Sequence, residues 1–286
     1  MDSLNFILNL AGLLLWLSWR SAGHDPFIRP TPRTLSGTVR RAEPRGRFPT
    51  LGFLPALAGL LLARAFFYWQ VGPAVSWTPR MDLDFVALAF RGNAFGAVLL
   101  FSILSFVEAL WVLYFWLIVL AIINRANTAD DPVQKLIMLQ LGRVGHWPRT
   151  ILAILTVFCT TAFWLALHPL LVHWSVLAPA QSFLHIVGQG LMVSLTLCLS
   201  LKYLLPAILF LHLVSSYVFL GTNPLWNFIT VTSRNILAPT ARVPMRVGKV
   251  DFAPVVGIIL IILLLHMVPE MIWRELGKRN LSPWPP

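Results

Sequence analysis

An all-α, polytopic membrane protein of about six transmembrane helices is what this sequence predicts, and three observations carry the prediction. Only 12% of the 286 residues are charged, against 57% hydrophobic, and the mean hydropathy is +0.75. A soluble domain carries about 25% charged residues, so the low value points to lipid as the solvent. Second, the chain is divided into apolar runs long enough to cross a bilayer. Third, the two ends carry the same spaced motif, which gives two parallel-repeat helical hairpins with cytoplasmic amphipathic connectors.

The apolar runs cover 4–19, 51–71, 95–123, 150–167, 182–219 and 252–268. A span takes about 20 residues at roughly 1.5 Å each, so the first run is short and the fifth is nearly twice the required length. The first run follows Asp2 with no Lys or Arg before it, so it reads as a retained span and not as a secretory signal with a positive leading segment. The fifth run holds Lys202 and Pro206 but no turn dipeptide. It is expected to be one helix, bent near Pro206 and projecting from the membrane at its N-terminal end.

The repeat is read from the ends of the first and fifth runs. One ends Ser18-Trp19-x-x-x-Gly23-x-Asp25-Pro26, the other Ser216-Tyr217-x-x-x-Gly221-x-Asn223-Pro224. Pro26 and Pro55 lie 29 residues apart, Pro224 and Pro254 30 residues apart, and Phe53 and Phe252 each stand two residues before the second proline. Asp or Asn followed by Pro is an N-cap with Pro at the first helical position. In the second copy Leu225, Phe228, Ile229, Thr232 and Ile236 form a helical stripe with Trp226 beside it, while Asn227, Thr230, Ser233 and Arg234 fall largely off it. That pattern predicts a helix lying at headgroup level. Pro239 and Pro244 keep the return segment extended, Gly248 permits a turn, and Asp251 is expected to cap the last span. The organisation is a first, degenerate unit at 1–71, a two-span insert at 72–182, a second unit at 183–269 and a tail at 270–286.

Charge sets the expected topology. The net charge is +11. Fifteen Lys and Arg fall in the connectors 20–50, 124–149 and 221–251, against five in the opposite connectors and the tail. The positive-inside rule places the basic connectors in the cytoplasm and, with six spans, both termini outside.

These residues resemble the YggT family of integral membrane proteins. The pattern is a short span, an Asn-Pro exit, a membrane-surface helix, a Pro- and Arg-rich return, then Gly-x-hydrophobic-Asp-hydrophobic-small-Pro opening a second span. The second copy matches through Asn223, Pro224, Pro239, Arg242, Pro244, Gly248, Asp251 and Pro254; the first retains Asp25, Pro26, Pro44 and Pro55, with Gly52 where the acidic residue belongs. The resemblance covers about 70 residues at each end and leaves the insert without a counterpart. It implies a bacterial inner-membrane location, and roles connected with osmotic tolerance, division-gene neighbourhoods or, in chloroplasts, cytochrome b maturation and nucleoid distribution. It implies no catalytic mechanism.

The chemistry-bearing residues are few. There is no phosphate loop, nucleophile elbow, His-Glu-x-x-His or Cys-x-x-Cys, and an enzyme is not expected. Cys159 and Cys198 read as small core residues. His168 and His173, five apart across Pro169, do not share a helical face, so neither metal nor cofactor is expected. Glu108 is the one acidic residue deep in a span; with Arg64 or Lys202 it would form packing glue, or else an ion or proton relay. Gln181, His185 and Gln189 make a stripe expected to face water. The basic connectors carry the expected binding activity. Arg40, Arg41, Arg45 and Arg47 in the first, and Trp226, Phe228, Arg234, Arg242, Arg246 and Lys249 in the last, should engage anionic headgroups or another membrane protein. No nucleic-acid recognition motif is present. The expected function is a non-enzymatic membrane scaffold or assembly factor, the alternative a channel or transporter for ions or small osmolytes.

Overall fold

A computed structural model describes residues 2–21, 52–125, 131–218, 221, 223–240, 246–247 and 250–278. The protein is all-α and polytopic, with two short hairpins as its only strands among the described residues. Five helical stretches are long and apolar enough to cross a membrane: Phe53–Val71, Phe95–Ile123, Arg149–His173, Phe183–Tyr217 and Ala253–Ile272. The sixth expected span is present as helix α1 (Asp2–Ser21) but is not among them. Asn5 and Asn9 lower the hydropathy of its apolar run. The large side chains that these helices leave exposed, such as Phe66, Ile154, Phe158, Leu260 and Leu264, suit a lipid environment and not water.

The chain forms two compact units, one of residues 1–79 and 90–111, the other of 80–89 and 112–286. These boundaries differ from the repeat–insert–repeat division of the sequence. In the first unit α1 packs along α2 (Phe53–Val71), and the leading part of α3 (Phe95–Ile123) joins them. Gly12 marks the closest approach: a Cβ there would stand 2.8 Å from the Phe106 ring and 3.4 Å from Leu57. Tyr68, Trp77, Phe90 and Phe101 form an aromatic cluster, with ring centroids 4.8 Å apart for Tyr68–Trp77 and 5.5 Å for Phe90–Phe101.

In the second unit the hairpin of β1 (Arg80–Leu83) and β2 (Val86–Ala89) accompanies the rest of α3 and the remaining helices. Helix α4 (Pro132–Leu141) starts on Asp131, whose side chain accepts from Val133 N at 2.8 Å. Helix α5 (Arg149–His173) packs along α6 (Phe183–Leu199), and α7 (Leu201–Tyr217) packs along α9 (Ala253–Lys278). The long fifth run is interrupted at Ser200, not at Pro206. There the Ser200 hydroxyl donates to Leu197 O at 2.6 Å and accepts from the Trp116 indole at 2.9 Å. A side chain that binds both its own helix and a neighbour fixes the interruption, whereas Pro206, although lacking its own amide bond, stays inside α7.

Helix α8 (Pro224–Leu237) lies between α7 and the return hairpin of β3 (Arg246–Val247) and β4 (Val250–Asp251). Asp251 is a strand residue. Helix α9 begins at Ala253, so Phe252, not Asp251, holds the residue position flanking it. Gly248, Pro244, Asp25 and Pro26 lie outside the described residues. Gly257 makes the close approach in the C-terminal pair, where a Cβ would stand 3.1 Å from Leu209. The motifs of the two ends are offset by 198 residues at Pro26 and Pro224 and by 199 at Pro55 and Pro254. Those offsets carry Gly12 and Leu57 to Phe210 and Val256, each one residue from the Leu209–Gly257 contact.

Candidate functional site

Helix α8 is built by its own first residues. The Asn223 side chain accepts from Leu225 N at 3.1 Å, and Pro224 supplies a first position that needs no amide donor. Its apolar stripe then faces protein. Phe228, Ile229, Thr232 and Ser233 are buried, and Phe228 packs with Ala121, Ile137 and Leu141. Thr232 donates to Phe228 O at 2.7 Å and accepts from Asn124 Nδ2 at 2.8 Å. Asn235 Nδ2 donates to Asn124 Oδ1 at 3.0 Å and to Ile123 O at 3.3 Å. Ser233 donates to Ile208 O at 3.4 Å. Asn124 is 2% exposed, so the centre of this amide–hydroxyl network is buried, and it holds α8 against the end of α3.

The expected lipid- or partner-binding residues therefore separate. Phe228 is corrected to a core residue, because the protein itself covers the stripe that amphipathicity assigned to lipid. Arg234 is exposed with Asn227 on the side opposite the stripe, Leu225 is exposed at the stripe's first turn, and Trp226 is half-buried. Arg246 lies in β3; Arg40, Arg41, Arg45, Arg47, Arg242 and Lys249 lie outside the described residues.

Two of the intramembrane polar residues have defined partners. Lys202 binds Asp84 at the β1–β2 turn, Nζ to Oδ1 at 2.8 Å, and the Thr196 hydroxyl donates to Leu83 O at 3.0 Å. Asp84 takes a left-handed φ of 42°, which turns the hairpin onto α6 and α7. Arg64 binds Asn5 and Asn9 of α1, not a carboxylate. Glu108 is half-buried on α3.

Two features were not read from the sequence. One is the set Asn5, Asn9, Ser105 and Tyr68 around Arg64; two asparagines four apart in an apolar run were its only signal. The other is a polar seam between α5 and α6. Gln189 is 1% exposed and accepts from the Trp164 indole at 3.4 Å, and Thr161 and Ser194 share a hydrogen bond of 3.3 Å. The stripe expected to face water therefore runs from exposed Gln181 through half-buried His185 into the helix interface at Gln189. A Cβ on Gly190 would stand 2.9 Å from Thr161 Cγ2, so the two helices meet closely there. Among the described residues no group of three or more His, Cys, Asp or Glu is placed to hold a metal. Compared with known proteins, the chain matches no family model, no curated sequence and no solved structure.

Proposed function

We propose that this integral membrane protein is a non-enzymatic scaffold or assembly factor that engages anionic lipid headgroups, and through them or directly a membrane-protein partner. The observation carrying the reading is the clamped α8. A buried stripe and the Asn124–Thr232–Asn235 network fix the helix, while Asn227 and Arg234 are exposed on the opposite side and Leu225 is exposed at the first turn. A surface element held rigid in advance loses little conformational freedom when it binds. Fifteen basic residues concentrated in three connectors support the same reading, each worth about 1 kcal/mol near an anionic surface. In this reading the connectors are cytoplasmic, the membrane is a bacterial inner membrane, and the Asn223-Pro224 to Pro254 pattern is that of a YggT-like unit.

The test is lipid retention by purified protein, comparing phosphatidylglycerol with phosphatidylcholine by native mass spectrometry, in the wild type and in Arg234→Glu/Arg242→Glu. We expect preferential phosphatidylglycerol retention that falls at least threefold in the variant. Equal retention of both lipids by both proteins sinks the proposal. Affinity capture from native membranes with mass spectrometry then identifies any stoichiometric partner. The transporter alternative is supported by the buried Arg64 and the half-buried Glu108. Glu108→Gln in a proteoliposome flux assay decides it: lost flux with normal folding favours transport.

A further inference from the structure

Arg64 is placed on α2 with 2% exposure, inside the unit formed by α1, α2 and the leading part of α3. Its Nη1 donates to Asn9 Oδ1 at 2.6 Å and its Nη2 to Asn5 Oδ1. Both asparagine amide nitrogens in turn donate to one oxygen, Ser105 Oγ, at 3.2 Å from Asn5 and 3.0 Å from Asn9. That shared acceptor turns both carbonyl oxygens toward the guanidinium. The rings of Tyr68 and Phe101 flank the cation, each with its centroid 5.6 Å from Cζ. Every one of these partners is electrically neutral.

A guanidinium carries five donors and a full positive charge, and burying it without an anion costs several kcal/mol in a membrane protein. Amide oxygens and ring faces offset part of that cost. Two buried polar atoms, Arg64 Nε and Tyr68 Oη, make no hydrogen bond among the described residues. Tyr68 is 0% exposed and follows Arg64 by four residues, one helical turn along the same face of α2. A buried N–H and a buried O–H on adjoining turns, beside a cation whose acceptors Asn5 and Asn9 are both neutral, offer two donors to one acceptor of negative charge. With Nη1 and Nη2 engaged by Asn9 and Asn5, only Nε and the Tyr68 hydroxyl are offered to such an acceptor, which suits a small one.

We propose that the Arg64–Tyr68 pair is a binding site for a small inorganic monovalent anion, chloride being the physiological example, held by Arg64 Nε and Tyr68 Oη. The test is thermal unfolding of the full chain in detergent at fixed ionic strength, with chloride replaced stepwise by gluconate, which is too bulky for such a site. Ligand linkage predicts that the wild-type melting temperature rises by roughly 2–3 °C per tenfold increase in chloride above half-saturation. Tyr68→Phe keeps the bonds of Arg64 to both asparagines and removes one anion donor, so half-saturation should move to at least about tenfold higher chloride. Arg64→Gln should abolish the dependence; if that variant does not fold, Tyr68→Phe decides alone. A wild-type melting temperature indifferent to the anion, or a Tyr68→Phe titration superimposable on the wild type, would overturn the proposal.

Discussion

Asn124 shows how much one buried amide can organise. It donates to Thr232 and accepts from Asn235, so it ties the last turn of α3 to two turns of α8 at once. Both Asn124 and Thr232 are almost wholly buried, at 2% and 0% exposure. Replacing Thr232 by Val preserves shape and removes the acceptor, leaving the Asn124 donor unsatisfied away from water. Such a loss costs about 1–3 kcal/mol. We expect Thr232→Val to lower the unfolding free energy in detergent by that amount, and the double variant Thr232→Val/Asn124→Leu to recover part of it. Equal stability of wild type and Thr232→Val would mean that α8 is held by Phe228 and its apolar neighbours alone. Nothing local in the sequence reveals this network, because Asn124 and Thr232 are 108 residues apart.

At the scale of elements, the sequence displays what is short-range and hides what is not. The start of α8 was legible because Asn223 and Pro224 suffice to define it. The same chemistry at Asp131-Pro132 starts α4, although the run 124–149 reads as a connector; ten residues holding Gln134, Lys135 and Gln140 give too short an apolar pattern to stand out. The β1–β2 hairpin is similarly silent, since its turn rests on Asp84 adopting a positive φ and on Lys202, 118 residues away. Periodicity gave the stripe of α8 but could not say whether lipid or protein covers it. The contact of α1 with the leading part of α3 lends itself to a sharp test. A Cβ on Gly12 would lie 2.8 and 3.0 Å from two atoms of the Phe106 ring, and a leucine there adds three further carbons. Overpacking of this kind costs roughly 1–3 kcal/mol. We expect Gly12→Leu to destabilise by that amount and Gly12→Leu/Phe106→Ala to regain most of it. Failure of the second change to rescue the first would place the strain elsewhere on α1.

For the whole molecule, hydropathy settles membrane residence, whereas the number of crossings depends on two stretches that composition leaves ambiguous. The stretch Phe183–Tyr217 holds 35 residues, about 52 Å of helix against roughly 30 Å of hydrocarbon. Its interruption at Ser200 changes neither the direction of hydrogen bonding nor the handedness: Ser200 has φ −58° and ψ −19°, which continues a helix and does not reverse a chain. Local geometry is that of one continuous helical stretch, and one crossing is the expectation that labelling tests. Helix α1 is long enough to cross, and the asparagines that lower its hydropathy are engaged by Arg64 and Ser105, so the polar groups that argue against insertion are internally satisfied. Cysteine labelling separates the cases, with Cys159 and Cys198 first replaced by serine. With α1 and Phe183–Tyr217 each crossing once, an impermeant maleimide added outside should label Ser3→Cys and exposed Gln181→Cys but not Ser36→Cys, Thr128→Cys or Thr240→Cys. Protection of Ser3→Cys alone would remove α1 from the spans, because its N-terminal end would then share a face with the basic connector at 20–50. Labelling of Thr240→Cys with protection of Ser36→Cys would instead require a second crossing within Phe183–Tyr217 and would end the parallel orientation of the two repeats. The basic connectors give the physical reason to expect neither outcome: moving one set across the bilayer would place its lysines and arginines against the charge asymmetry that orients the rest of the chain.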